Sequence, residues 1–249
     1  MVRSFSLSLV AIDMLLEQLR LGRAPCPFEV PHIGTTRTQR AQVREAVFRD
    51  LEGRGMMRGG TLDDAAALAL RTFVSAPVSV AAAAKFKGGD KLFARAASDG
   101  RLGVVAKQDG NMIVFTEVRP TAVISAAVDL LPAVPAAPGQ SLTIPKPADR
   151  APRHAVGVTP PRSNSVLQER AIARLFEKPK IRIGQFTAFA QGKEGKREKI
   201  GPLAWFDTED GRFFCTQRAA EDGRQWITYA PADNGRIAQH LHGRLEDYL

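Results

Sequence analysis

The sequence predicts an α+β fold of two like halves that share one core about a pseudo-two-fold. The order of elements occurs twice. An apolar helix ending at Phe73 leads through Pro77 to short strands, an Asp99-Gly100-Arg101 turn, an Asp109-Gly110 turn, Pro120 and a closing helix. A helix ending at Phe176 then leads through Pro179 to strands, Asp210-Gly211-Arg212, Asp222-Gly223, Pro231 and a last helix to Leu249. Within each half the strands are separated by glycine-containing turns and not by crossover helices, which predicts antiparallel hairpins. Two copies are too few for a solenoid, which needs at least about three repeats to bury its faces.

Phe5, Leu7 and Leu9 alternate with smaller or polar residues, the period of a strand. Ile12, Leu15, Leu16 and Leu19 follow at helical spacing up to Gly22, a C-terminal stop. Ala24-Pro25-Cys26-Pro27-Phe28-Glu29-Val30-Pro31 is too rich in proline for a helix interior and is expected to be an extended connector. Thr38 is placed to cap a second helix with Val43, Ala46, Val47 and Leu51 on one face, ended by Gly53 and Gly55. Gly59 and Gly60 read as further helix stops. Thr61 precedes Leu62-Asp63-Asp64, whose acids suit the start of a helix running to Phe73. Strands are expected over 78–84, 92–97, 102–107 and 112–118, then a helix over 121–131. Residues 132–164 hold a high share of the 16 prolines, with little apolar periodicity, and read as an extended linker. The chain is thus read as a single domain over 1–249. Its N-terminal half is 1–131 and its C-terminal half, opened by Ser165 as a cap, is 165–249.

Hydrophobic content of 44% and charged content of 24% are those of a folded globular protein, and 249 residues suffice for a sizeable core. The excess of 35 basic over 26 acidic residues gives +9, which raises the question of an acidic partner such as nucleic acid. The basic residues are dispersed. Only Lys193-Glu194-Gly195-Lys196-Arg197-Glu198-Lys199 forms a cluster, and its glutamates dilute it to a solvated loop. Cys26 and Cys215 lie far apart without a Cys-x-x-Cys, so neither a zinc site nor a disulfide framework is indicated, and a reducing, cytoplasmic setting fits. Arg3 and the apolar residues after it resemble a short signal peptide until Asp13 and Glu17 end that reading. No apolar run approaches the roughly 20 residues of a membrane span, so no membrane insertion is expected.

Candidate chemistry is sparse. His240 and His242, two apart on a helix, point to different faces and cannot chelate together, so they read as surface residues. His32 and His154 sit in proline-rich connectors without acidic or cysteine neighbours. Asp207, Glu209 and Asp210 could be paired carboxylates, but Glu-Asp-Gly before a strand is what a hairpin turn needs. No dinucleotide fingerprint, phosphate loop or nucleophile elbow occurs. The expectation is no catalytic residue, no metal, no cofactor and no enzyme. A binding module fits better, because the strands are apolar on both alternations: Val104 and Val105, Ile113 and Val114, Phe213 and Phe214, Trp226 and Ile227. Such a sheet must cover both faces or offer one to a partner.

The chain resembles the EspG family, secretion-associated chaperones of the ESX (type VII) pathway of actinobacteria. The resemblance rests on Leu7, Leu9 and Leu15 in the opening strand and helix, on Gly22-Arg23-Ala24-Pro25 running into Phe28-Glu29-Val30, and on Leu51-Glu52-Gly53-Arg54-Gly55. Later it rests on Leu203-Ala204-Trp205-Phe206-Asp207-Thr208-Glu209-Asp210-Gly211-Arg212 and on Trp226-Ile227-Thr228-Tyr229-Ala230-Pro231-Ala232-Asp233. It implies a quasi-two-fold fold with a central antiparallel sheet flanked by helical bundles and no catalytic residues. The implied partner is a PE/PPE-like secreted heterodimer, bound in the cytosol at the apolar helical tip of its PPE-like subunit. Two features depart from the family pattern: the proline-rich linker, and a short segment Lys85–Lys91 where the family has a longer partner-contacting loop.

The partner site is expected at that segment, Lys85-Phe86-Lys87-Gly88-Gly89-Asp90-Lys91, with residues near the C-terminal helix. Phe86 beside lysines and a Gly-Gly flex point is the composition of an adaptable contact loop with one anchor. The alternative is a nucleic-acid-binding regulator, with a helix-turn-helix over 38–73 and Arg37, Arg40, Arg44, Arg49, Arg54 and Arg58 nearby. Glu45, Asp50 and Glu52 on the same helix weigh against it.

Overall fold

The computed structural model describes residues 4–146, 170, 172–192, 194–219 and 224–248. The first half comprises β1 (Ser4–Ser8), α1 (Leu9–Gln18), α2 (Arg37–Gly53), β2 (Met57–Arg58), β3 (Thr61–Leu62) and α3 (Asp64–Ser75). It continues with β4 (Val78–Phe86), β5 (Lys91–Ser98), β6 (Gly103–Asp109), β7 (Met112–Val118) and α4 (Val123–Val128). Then come β8 (Leu142–Pro145), a helical segment α5 (172–177), β9 (Arg182–Gln191), β10 (Arg197–Thr208), β11 (Gly211–Ala219), β12 (Gln225–Pro231) and α6 (Asn234–Leu245).

Ten strands form one sheet in the order β1-β7-β6-β5-β4-β9-β10-β11-β12-β8. Every neighbouring pair is antiparallel. The duplicated plan of the sequence is visible here. Outward from the central β4–β9 pair, where Ala82 faces Phe186, each side runs through three hairpin strands to an edge strand that precedes them in sequence. The Asp99-Gly100 and Asp210-Gly211 turns occupy matching positions, between β5 and β6 and between β10 and β11. The turn at Asp222-Gly223 lies outside the described residues, as do 147–164 of the expected linker and its Ser165 cap. The segment 142–145 within that expected linker is the edge strand β8, joined to β12 by Thr143 Oγ1–Thr228 Oγ1 at 2.9 Å.

Local chemistry sets the helix starts. Ser8 Oγ accepts from Ala11 N and turns β1 into α1. The cap of α2 is Thr36 and not Thr38: Thr36 Oγ1 accepts from Gln39 N, while Gln39 Oε1 accepts from the Thr36 amide. A reciprocal pair satisfies orphan donors that Thr38 alone would leave open. Asp63 caps α3 by accepting from the Ala65 and Ala66 amides. Gly59 and Gly60, expected as helix stops, instead form the turn of the β2–β3 hairpin, with φ of +53° and +74°.

That hairpin corrects the helix-turn-helix alternative. It separates α2 from α3 with two strands where a helix-turn-helix has a tight turn, and α3 lies against the sheet with Leu70 and Phe73 fully buried. The arginines of α2 are largely neutralised within the chain. Arg40 pairs with Asp13 at 2.8 Å, Arg44 with Glu17, and Arg49 with Glu45 at 2.6 Å.

The two sheet faces carry separate cores. Alternate residues Val78, Val80, Ala82 and Ala84 of β4 and Phe186, Ala188 and Ala190 of β9 pack under α4 and α6. On the opposite face, α1 and α3 bury Leu15, Leu70 and Phe73 against Val104, Ala106 and Phe115. Arg95, buried without a carboxylate beside it, donates to Phe73 O at 3.1 Å, Cys26 O at 3.3 Å and Ser79 Oγ at 2.6 Å, fastening the proline-rich connector to the end of α3.

A second buried guanidinium joins the halves. Arg212 Nε donates to Asp207 Oδ1 at 2.7 Å and its Nη2 to Asp207 Oδ2 at 3.0 Å and Pro132 O at 3.1 Å. The guanidinium lies over the Trp205 ring at 4.9 Å and bonds Asn234 at the start of α6. The carboxylate expected to belong to a turn is therefore half of an interior ion pair.

His240, expected at the surface, is half-buried on α6 against the Phe214 ring at 5.2 Å, and its Nε2 has no hydrogen-bond partner. Burial, with a smaller contribution from Arg244, lowers its pKa below 6.5. The unfolded chain then binds the proton more readily than the folded one, so stability is full above about pH 6.5 and falls as pH drops below it. Thermal unfolding midpoints measured from pH 7.5 to 5.5 should decline, and His240→Leu should flatten the decline. An equal slope in that variant would remove His240 as its source.

Candidate functional site

An apolar cleft of about 650 Å³ opens on the sheet face opposite α4 and α6. Its position follows from cross-strand register. Phe93, Ala83, Gln185, Ala204, Cys215 and Tyr229 stand side by side on β5, β4, β9, β10, β11 and β12. Ala83, Ala204 and Cys215, with only the exposed Gln185 longer among them, lie between aromatic rings at the ends, which hollows the row. The next row runs Lys91, Lys85, Ile183, Phe206 and Phe213 across β5, β4, β9, β10 and β11. At strand spacings of about 4.8 Å, the six-residue row spans about 24 Å.

One wall is aromatic. Phe176 of α5 meets Tyr229 edge-on at 5.4 Å and Phe206 at 6.5 Å, and Phe206 stacks on Phe213 at 5.4 Å. Lys180 pins this wall. Its ammonium donates to Leu175 O at 2.6 Å and Lys178 O at 2.7 Å and sits 5.3 Å from the Phe176 and Phe206 ring centres. No carboxylate offsets its burial, which lowers its pKa. Phe176 and Ile183 nonetheless remain 53% and 48% exposed, two of the three large apolar side chains left most open among the described residues. An apolar patch of this kind marks an interaction surface. Gly184, in the floor, is fixed by close approach: a Cβ there would lie 2.7 Å from Ala84 Cβ and 2.8 Å from Trp205.

The expected contact segment is the β4–β5 hairpin. Gly88 and Gly89 take φ of +106° and +100°, and Phe86 N bonds Asp90 O at 2.8 Å. The structure brings Lys85 and Lys91 to the cleft, paired across the hairpin. It sends Phe86 to the other face, half-buried against the core under α4 and α6. Lys87, Gly88, Gly89 and Asp90 form the exposed tip and do not line the cleft. The cleft's own aromatics had a sequence signal in the two-sided apolar strands, but the row that assembles them depends on register between distant strands.

Cys215 and Tyr229 are hydrogen-bonded within the cleft, and burial raises both pKa values above their ordinary range, so the thiol is held protonated. Among the described residues no group of three or more His, Cys, Asp or Glu side chains is placed to hold a metal ion. None of their helices is long and apolar enough to cross a membrane.

One long antiparallel sheet, with helices packed on both faces and an aromatic-walled apolar cleft left open on one of them, has the architecture of a docking protein. The chain belongs to the EspG family, whose profile matches residues 8–243. No curated protein matches the chain. Among solved structures it is similar to the type VII secretion system chaperone EspG5 of Mycobacterium tuberculosis, determined in complex with a PE25-PPE41 dimer. The TM-score is 0.66 at 13% identity, over 99% of this chain and 97% of that one. The likeness is one of fold and covers both halves.

Proposed function

We propose that this protein is a cytoplasmic, non-enzymatic chaperone of type VII secretion that binds the apolar helical tip of a PPE-like subunit in a PE/PPE-like heterodimer. The observation that carries the proposal is the open apolar cleft on the fold of a family defined by such chaperones. An apolar tip left in water drives self-association, and burying it in a preformed groove removes that route. Both halves, 1–131 and 165–249, act as one unit in this reading, because the cleft floor takes strands from each. The β4–β5 hairpin contributes through Lys85 and Lys91 at the rim, with the tip Lys87–Asp90 next to them.

Co-expression with each PE/PPE-like pair of the host should raise the soluble yield of one of them and give a complex that survives size exclusion. Unchanged solubility for every pair would remove this function. Duplex DNA should bind weakly and release by physiological salt, since the arginines of α2 are internally paired and few phosphates can be neutralised together. Retention with sequence preference in a salt-titrated mobility shift would favour the regulator instead.

A further inference from the structure

We infer that the cleft selects among apolar helices by charge, taking one whose apolar stripe is flanked by carboxylates. The inference rests on the chaperone reading and specifies the chemistry of its client.

The cleft is lined by Lys85, Lys91 and Lys180 and by no aspartate or glutamate. Lys85 and Lys91 are directly opposed cross-strand neighbours, and like charges so placed repel. Among the described residues, Lys180 is held by backbone carbonyls and not by a carboxylate, and both rim lysines are exposed with no salt bridge. An apolar floor ringed by unpaired ammonium groups therefore complements a helix with an apolar stripe and acidic edges. Opposite charge on a rim raises association rate and specificity, and a lysine-flanked helix meets repulsion from both sides.

The test uses two synthetic 18-residue helical peptides with the same leucine-alanine stripe, one flanked by glutamate and one by lysine. The readout is protection of Cys215 from iodoacetamide in a Cys26→Ser chain, since Cys215 lies on the cleft floor and Cys26 is exposed elsewhere. Labelling runs at about pH 9 over long incubation, where enough of the Cys215 thiolate forms to react while lysines stay charged. The glutamate peptide should protect at about tenfold lower concentration than the lysine peptide, the size expected of a few rim ion pairs. The preference should vanish in K85Q/K91Q and invert in K85E/K91E. Equal protection by both peptides, or an unchanged preference in K85E/K91E, overturns the charge selection and leaves the client reading standing. Protection by neither peptide also overturns it, while co-expression with the PE/PPE-like pairs decides the client reading separately. Protection that rises with protein concentration alone would assign the cleft to a second copy of this chain, and would overturn the inference too.

Discussion

Arg212→Ala is expected to destabilise the fold by about 3 kcal/mol, the cost of taking from a buried carboxylate the closer of its two cations. Arg212 and Asp207 are 0% and 1% exposed, and the guanidinium also holds Pro132 O and Asn234. Truncation therefore leaves the buried Asp207 carboxylate to the longer Arg182 Nη1 contact at 3.3 Å and frees the start of α6 together with the segment after α4. Asp207→Asn should cost less, since the amide oxygen can still accept from Arg212. Replacing both members by apolar residues of similar volume, as in Asp207→Leu with Arg212→Met, should recover much of the loss. Urea unfolding of the three variants against the parent reads the effect directly. A loss below about 1 kcal/mol in Arg212→Ala would mean that Arg182 or solvent compensates the Asp207 charge in the folded chain, and Arg182→Ala added to it separates the two.

The same pair shows what the sequence could reveal. The matching turns Asp99-Gly100-Arg101 and Asp210-Gly211-Arg212 disclose the duplication, because turn chemistry is local. What each turn does was not legible. Asp99 accepts from the Arg101 and Leu102 amides in an exposed turn, whereas Arg212 in the second copy reaches back to a buried Asp207. Burial of that kind is decided by α4 and α6 meeting over the sheet, contacts more than 80 residues apart in sequence. The helix-turn-helix alternative failed for a similar reason. The short β2–β3 hairpin is stabilised by what surrounds it, so its two glycines look like helix stops when read alone.

The cleft was partly legible. Alternation predicted strands apolar on both faces, and those strands do supply the cleft. The hairpin was found as well, with Lys85 and Lys91 at the rim. Phe86 was read as the anchor, yet a one-residue step along a strand reverses the face, and Phe86 faces the helices. A Phe86→Ala variant therefore tests packing in that core and not the cleft. Pairing between β4 and β9, about 100 residues apart, makes the floor, and no local pattern encodes it.

Ala204→Trp should abolish client binding while leaving the fold intact. Ala204 is an exposed position at the centre of the cleft floor, between Gln185 and Cys215, so an indole there stands in open space without entering either core. Tryptophan also suits a strand better than alanine does. The ring would occupy the volume that a client's apolar side chains need. Each excluded anchor at an interface centre forfeits about 2 kcal/mol or more, so affinity for the PE/PPE-like pair recovered by co-expression should fall at least about a hundredfold. Calorimetric titration, with the unfolding midpoint of the free variant within a few degrees of the parent, makes the measurement. Binding within threefold of the parent in a stably folded Ala204→Trp chain would place the client on another surface, since no helix could enter the row from Phe93 to Tyr229 past that indole.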